Sequence, residues 1–368
     1  MTINTTDANE LFRDLRKKSG PFPDWDEKMI SDAHGYHKIF VLYNNTLIGK
    51  GNVQEKDLIN SLRYFYGFID NEEYDSIAAL ACITNKFYPD EEKVRLEKVK
   101  FGNLPRLIIQ NPETGESEAQ RASSAFALPC NDNSFLVVLT TQLIKILQNW
   151  MTLLCSVESV SYIAQRGPKI SAADILDGMR EIIQCQWINA ENPHTFGMNF
   201  LPEIVANDPF WNFRIDICMF MTLTFILHHE VGHILRRHFK PANNINDSIL
   251  YRRNNNAADA KTLQMEELEA DEHSAIHLSR IIKSYPRDFV NDWKTYIVIQ
   301  LCEWLALTDL FYKYSKNDLG FYPDAIKRGD RIIDILSEEL VISQKASLYM
   351  ALRHAIENRN PMIEKLVG

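Results

Sequence analysis

The sequence lacks the features of several common protein classes. None of the six cysteines belongs to a Cys-x-x-Cys pair, so neither a zinc ribbon nor a redox motif is indicated, and buried free thiols in a reducing compartment are expected. The formal net charge of −9 is opposite to the basic excess that phosphate binding requires. Nucleic acid is therefore not expected as a partner.

Long apolar runs are also missing. The first residues have no charged segment followed by an apolar core, so no secretory signal is predicted. The longest apolar runs, around 218–227 and 297–312, are short or interrupted by acidic residues, whereas a membrane span needs about 20 predominantly apolar residues. With 45% hydrophobic and 24% charged residues, the composition is typical of a globular protein. We expect a soluble, cytoplasmic protein without a membrane span.

The most informative motif is His229-Glu230-Val231-Gly232-His233, inside an apolar run. Side chains at i and i+4 share one face of a helix, so both imidazoles can bind one ion while Glu230 holds a water. Burying these polar groups without a partner would cost a few kcal/mol each, and a metal satisfies all three. Gly232 weakens a helix by about 1 kcal/mol relative to alanine. This predicts close approach of another backbone or of the substrate there.

A third ligand is available in the acidic segment 266–273, which is rich in helix formers. If Glu267 faces the ion, Asp271 lies one turn later on the same face. There it can accept the second N–H of a ligand histidine and fix its tautomer. An ordinary solvated acidic face is the alternative. We therefore predict a Zn²⁺ site formed by His229, His233 and Glu267.

The spacing of these pieces resembles the gluzincin branch of zinc peptidases. Glu-x-x-Ala-Asp at 267–271, after His-Glu-x-x-His at 229–233, is similar to the minigluzincin families that include the HtpX-like and CAAX-prenyl proteases. Ser-Ala-Phe-Ala at 124–127, followed by the apolar strand 135–141, is similar to the Asn-Ala-Phe-Ala strand, turn and strand of that group. Tyr-Pro-Asp and a later arginine, within 322–328, resemble its His-Pro...Arg segment.

The resemblance implies roles for residues outside the metal ligands. Ser124, Ala125 and Phe126 would bind substrate, as would Arg328, which can instead position its own segment. Tyr322 would donate a hydrogen bond to the oxyanion of the tetrahedral intermediate, or it is an exposed aromatic in a turn. Ser124 and Tyr322 replace the asparagine and histidine usual in the family. The metal ligands are thus intact, whereas the residues that handle substrate differ.

The shared features also resemble the phage-exclusion peptidase Lit and the ImmA/IrrE peptidases, which are cytoplasmic bacterial gluzincins of the same small type. Nothing in the sequence outside the active-site motifs distinguishes among these relatives. Our hypothesis is a Lit-like soluble peptidase.

The predicted fold is α+β and mostly helical, with a minigluzincin-like zincin core and a small sheet whose edge strand can pair with an extended substrate. Residues 1–104 form a mixed or helical N-terminal region, a helper unit or alternatively a partner-binding module. Residues 105–335 form the catalytic domain and 336–368 a helical extension. We predict a hairpin at 38–49, helices at 57–68, 72–87, 172–188, 293–314 and 331–357, strands at 106–110 and 122–128, and a strand from 135 that passes into a helix reaching 162.

The expected activity is hydrolysis of peptide bonds in a protein substrate, with Glu230 as general base on a water acidified by zinc. Host defence or regulated proteolysis is the expected setting, and the oligomeric state is left open. The alternative is a regulatory or partner-binding protein with a structural metal on the same scaffold. Two further possibilities concern other histidines: His273 and His277 as a second metal site, and His238 as a cation at a helix C-terminus.

Overall fold

The computed structural model describes residues 7–19, 76–104, 109–110, 117–118, 125–130, 132–140, parts of 143–154, 209–239, 257–314 and 323–361. Helix accounts for 77% of the residues that can be interpreted, and the strands form one sheet of three strands and one of two. The prediction of a mostly helical α+β chain is therefore confirmed.

Five strands are described, β1 (Val99–Leu104), β2 (Ile109–Gln110), β3 (Ser117–Glu118), β4 (Ala125–Pro129) and β5 (Phe135–Thr140). The larger sheet has the order β1-β5-β4, in which β5 runs parallel to β1 and antiparallel to β4. Strands β2 and β3 form a separate antiparallel pair. Among the described strands, none pairs with the outer edge of β4.

Both faces of the larger sheet are covered, which explains the uninterrupted apolar sequence of β5. Leu136 and Val138 pack with α1 (Ala8–Lys18), whereas Val137 and Leu139 belong to the main core on the opposite face. This is the alternation that a strand imposes on successive side chains. Strand β1 belongs to the predicted N-terminal region, 1–104, and β5 belongs to the predicted catalytic domain. Because the two strands pair, one sheet includes residues from both.

The other described helices are α2 (Ser76–Thr84), α3 (Asp90–Leu96), α4 (Pro209–Leu235), α5 (Ala257–Lys283), α6 (Arg287–Tyr314), α7 (Ala325–Glu339) and α8 (Lys345–Arg353), with a 3₁₀ turn at Asn85–Phe87 and a π-helical turn at His354–Arg359. The described residues between 143 and 154 are helical as well.

Several predicted elements agree with these bounds and one does not. The helix predicted at 293–314 is the greater part of α6. The range 331–357, predicted to be helical, is helical except at 340–344, where α7 has ended and Val341 has a left-handed φ of 53°. The hairpin at 38–49 and the helices at 57–68 and 172–188 lie outside the described residues. Three cysteines are free and buried, as predicted, namely Cys130, Cys218 and Cys302.

Helix α4 runs through the core of the protein. The stretch Ile217–Leu235 is long and apolar enough to cross a membrane, but 94% of it is buried inside the protein. On one side it packs against β4 and β5, and it also packs against α5. A helix that is apolar on all sides is expected to be enclosed in this way.

The backbones of α4 and α5 approach each other closely at Gly232. A Cβ added there would lie 3.0 Å from the Cα of Ala270 and 3.2 Å from its carbonyl oxygen. Both atoms belong to the backbone of α5 and cannot rotate away. The close approach of another backbone predicted from the sequence is therefore confirmed.

Replacing Gly232 by valine should lower the free energy of unfolding by about 2 kcal/mol, because the added methyl groups push α5 away from α4. Gly232→Ala meets the same backbone with a smaller side chain and gains helix propensity, so it should cost less. Chemical denaturation of the three proteins measures both values. A valine variant as stable as the wild type would contradict the close packing.

Candidate metal centre

Three buried side chains, two from α4 and one from α5, lie close together. The Nε2 atoms of His229 and His233, one turn apart on α4, lie 3.2 Å from each other. The carboxylate of Glu267, on α5, lies 3.1 Å from Nε2 of His229 and 3.5 Å from Nε2 of His233. This group of side chains can hold a metal ion. The helix pairing thus brings together the three predicted ligands.

The spacing of these donor atoms fits a small divalent ion. Zinc binds nitrogen and oxygen at about 2.0–2.2 Å in a tetrahedron, which places neighbouring ligand atoms about 3.3–3.6 Å apart. The observed separations of 3.1–3.5 Å span nearly the same range. Two imidazoles and one carboxylate also leave a fourth position for a non-protein ligand. The family models, the curated proteins and the solved structures give no match to this chain.

Asp271 lies behind the first histidine. Nδ1 of His229 donates to Oδ1 of Asp271 at 2.9 Å, so Nε2 is the nitrogen left for an ion, as the sequence predicted. The side chain of Asp271 is completely buried, and Arg328 of α7 donates to both of its oxygens at 2.7 and 2.8 Å. Burial raises the pKa of Asp271, but the charge and hydrogen bonds of Arg328 outweigh it and hold the pKa below its ordinary value.

Of the two roles predicted for Arg328, positioning and substrate binding, this contact favours positioning. Its guanidinium forms a bidentate pair with Asp271, and Arg328 is only 9% exposed. Its position supports the orientation of His229 instead. No local pattern in the sequence indicates this partner, because an arginine on a later helix can pair with any nearby carboxylate.

The other predicted residues have different outcomes. Ala125 and Phe126 lie on β4, the strand that packs beside α4, and both are half-buried. Ser124 and Tyr322 lie outside the described residues. Glu230, directly after the first ligand on α4, is buried with 6% of its surface exposed.

A second cluster of histidines surrounds His228, the residue before the first predicted ligand. The hydroxyl of Thr84 donates to the carbonyl of Leu80 at 2.8 Å, so it accepts from Nε2–H of His228 at 2.7 Å. Nδ1 of His228 then accepts from the hydroxyl of Tyr88 at 2.8 Å, and the tyrosine oxygen accepts from Nε2–H of His273 at 3.1 Å. Because Nδ1 of His228 accepts a hydrogen bond, the imidazole of His228 is neutral.

Burial keeps these histidines uncharged. It lowers the pKa of His228, and it lowers that of His273 to about 4 with help from the charge of Arg236. His277 stacks on the ring of Tyr88 at 3.7 Å and donates through Nε2 to the carbonyl of Thr84 at 3.1 Å. Among the described residues, only His229, His233 and Glu267 have the spacing of metal ligands, so a second metal site at His273 and His277 is not supported. The cluster instead joins α2, α4 and α5 behind the metal centre.

Replacing Arg328 by methionine should lower the free energy of unfolding by about 3 kcal/mol, because it leaves the charge of Asp271 buried without its main partner. Arg331→Met is the matched control, since Arg331 lies on the same helix but is half-exposed where it pairs with Glu272. That change should cost less than about 1 kcal/mol. Denaturation of the metal-free proteins measures both, and equal costs would contradict the buried pair.

Metal binding should release about one proton at pH 7. Burial lowers the pKa of His229, but the hydrogen bonds and charges of Asp271 and Glu267 outweigh it and raise the pKa to about 10 in the metal-free protein. Below pH 10 a metal must displace that proton, so its association constant should fall about tenfold for each pH unit lost. Calorimetry with Zn²⁺, in buffers of different ionisation enthalpy, counts the protons. Zero release would rule out this assignment.

Proposed function

We propose that this chain is a zinc metallopeptidase of the gluzincin type that hydrolyses peptide bonds in a protein substrate. The observation that carries the proposal is the buried convergence of His229, His233 and Glu267, with Asp271 on the outer nitrogen of His229. A chance His-Glu-x-x-His sequence has no reason to bring a carboxylate from another helix to both imidazoles. The proposed setting is the cytoplasm, in host defence or regulated proteolysis.

The residues of the site divide the chemistry between them. A zinc ion held by His229, His233 and Glu267 would act as a Lewis acid that acidifies water and polarises the scissile carbonyl. Glu230 takes a proton from the attacking water and delivers it to the leaving amine, so water adds its hydroxyl to the carbonyl carbon and its proton to the nitrogen. Asp271 holds His229 in the tautomer that presents Nε2.

The position of β4 supports a peptide as the substrate. This strand lies at one edge of the described sheet and packs beside the helix that carries the histidines. In this proposal an extended peptide pairs with the outer edge of β4, and Ala125 and Phe126 lie on the strand that it contacts. Backbone pairing of this kind accepts many sequences and exposes the scissile amide.

The alternative is a regulatory or partner-binding protein that uses the same metal structurally. Two observations favour the enzyme. The described cluster supplies three ligand side chains, and structural zinc sites usually close the fourth position with a protein ligand. Glu230 is a buried carboxylate beside the first ligand, and a structural site has no use for such a group.

Glu230→Gln should retain one metal ion per chain and lose cleavage by at least 10²-fold, because the amide keeps the size of the side chain but cannot accept the proton. Metal analysis of the purified protein identifies the ion, and mapping of new protein N-termini in cells that express either form identifies the substrate. A glutamine variant as active as the wild type would contradict the role of Glu230.

A matched control is Glu272→Gln, which makes the same chemical change on α5, where the side chain pairs with Arg331. Its cleavage should equal that of the wild type. If the wild type binds metal but generates no new N-termini, and if metal removal unfolds it or releases a partner, the regulatory alternative is correct.

A further inference from the structure

Helix α4 ends in a left-handed turn that its sequence does not predict. The N–H of Arg237 donates to the carbonyl of Ile234 at 3.1 Å, and the N–H of His238 donates to the carbonyl of His233 at 3.0 Å. These two bonds define the Schellman motif, whose left-handed residue is usually glycine. Arg237 occupies that position with a φ of 62°, a conformation that the Cβ of an arginine disfavours.

The motif places the side chain of His238 beside His233, the second proposed metal ligand. In a Schellman motif, the residue after the left-handed position commonly contacts a side chain on the last turn of the helix. Here these two residues are His238 and His233. The two Nδ1 atoms lie 3.0 Å apart and the rings are nearly perpendicular, at 73°. The next residue, Phe239, packs against Phe135 of β5 with ring centroids 5.7 Å apart. The turn is thereby held against the sheet.

A carboxylate on α5 sets the direction of the hydrogen bonds. Nε2 of His238 lies 3.0 Å from Oε2 of Glu269. A carboxylate only accepts, so Nε2 of His238 carries a proton, and in the neutral ring Nδ1 then accepts the Nδ1–H of His233. The lone pair on Nε2 of His233 is then directed towards His229 and Glu267, which lie 3.2 and 3.5 Å away.

We propose that His238 and Glu269 are positioning residues for the second metal ligand. They hold the tautomer and ring orientation of His233 as Asp271 and Arg328 hold those of His229. The left-handed turn at Arg237 brings His238 into contact with His233. The inference rests on the proposed function only in requiring that a metal binds at His233, and it does not depend on the reaction.

The test compares zinc affinities of full-length variants by competition with a chromophoric chelator. His238→Ala removes the acceptor and should weaken zinc binding by about tenfold, the lower end of the effect of an outer partner of a metal ligand. His238→Asn places an amide oxygen near the position of Nδ1 and should keep the affinity within about threefold of the wild type. Equal affinity of the alanine variant and the wild type would overturn the inference.

A spectroscopic measurement separates positioning from a general effect on folding. With Co²⁺ in place of zinc, the visible bands report the geometry of the ligands. They should shift in His238→Ala and return in His238→Asn, while the Tm of the metal-free proteins stays within about 3 °C. Unchanged bands in the alanine variant would contradict the role of His238.

A second pair of variants guards against failure of the alanine protein to fold. Glu269→Gln alters a half-exposed side chain and should weaken zinc binding by about threefold, since a neutral acceptor holds Nε2–H less strongly. Glu272→Gln, one turn further along α5, should bind zinc as the wild type does. Equal affinities of these two variants would count against the role of Glu269.

The outcomes also separate this inference from the proposed function. If the wild type binds zinc but cuts no peptide, the peptidase proposal fails while the affinity series still decides the role of His238. If the wild type binds neither Zn²⁺ nor Co²⁺, both fail. If it binds zinc and cuts peptide, and His238→Ala matches it in affinity and spectrum, only the positioning role fails.

Discussion

The packing of α4 against α5 is the contact on which the rest of the site depends. Each helix carries an incomplete set of ligands, with two imidazoles on α4 and one carboxylate on α5. Gly232 precedes the second histidine, and Ala270, its neighbour on α5, lies between Glu267 and Asp271 in the sequence. The backbones are therefore close to each other beside the ligands. Metal coordination tolerates changes of only about 0.2 Å, so a bulkier contact here would separate the donors.

Buried charge couples a third helix to this pair. Asp271 accepts hydrogen bonds from His229 on α4 and Arg328 on α7, so one carboxylate on α5 joins all three helices. An unpaired carboxylate in this position would be strongly destabilising, whereas apolar contacts alone would tolerate small shifts of α7. The ion pair thus restricts how the helices can be arranged. The neutral cluster around Tyr88 holds α4 at His228 through hydrogen bonds that each require one tautomer.

Local geometry explains which parts of the site could be predicted from the sequence. The spacing of His229 from His233, and of Glu267 from Asp271, is set within single helices, so periodicity was sufficient to identify them. The partner of Arg328 lies 57 residues away, and no local rule connects the two. The turn at Arg237 was missed for a different reason: a glycine there would have signalled a left-handed backbone, but an arginine does not.

The site contains four charged or protonated side chains that a metal would meet on binding. His229 is protonated between the carboxylates of Glu267 and Asp271, and Arg328 balances the remaining charge. A proton thus satisfies the buried donors and acceptors that an ion would otherwise bind. The main core, built from the sheet and from α4, α6, α7 and α8, is packed without using these ligands. Exchange of that proton for a metal would therefore change the charge at the ligands while the packing of the core stays the same.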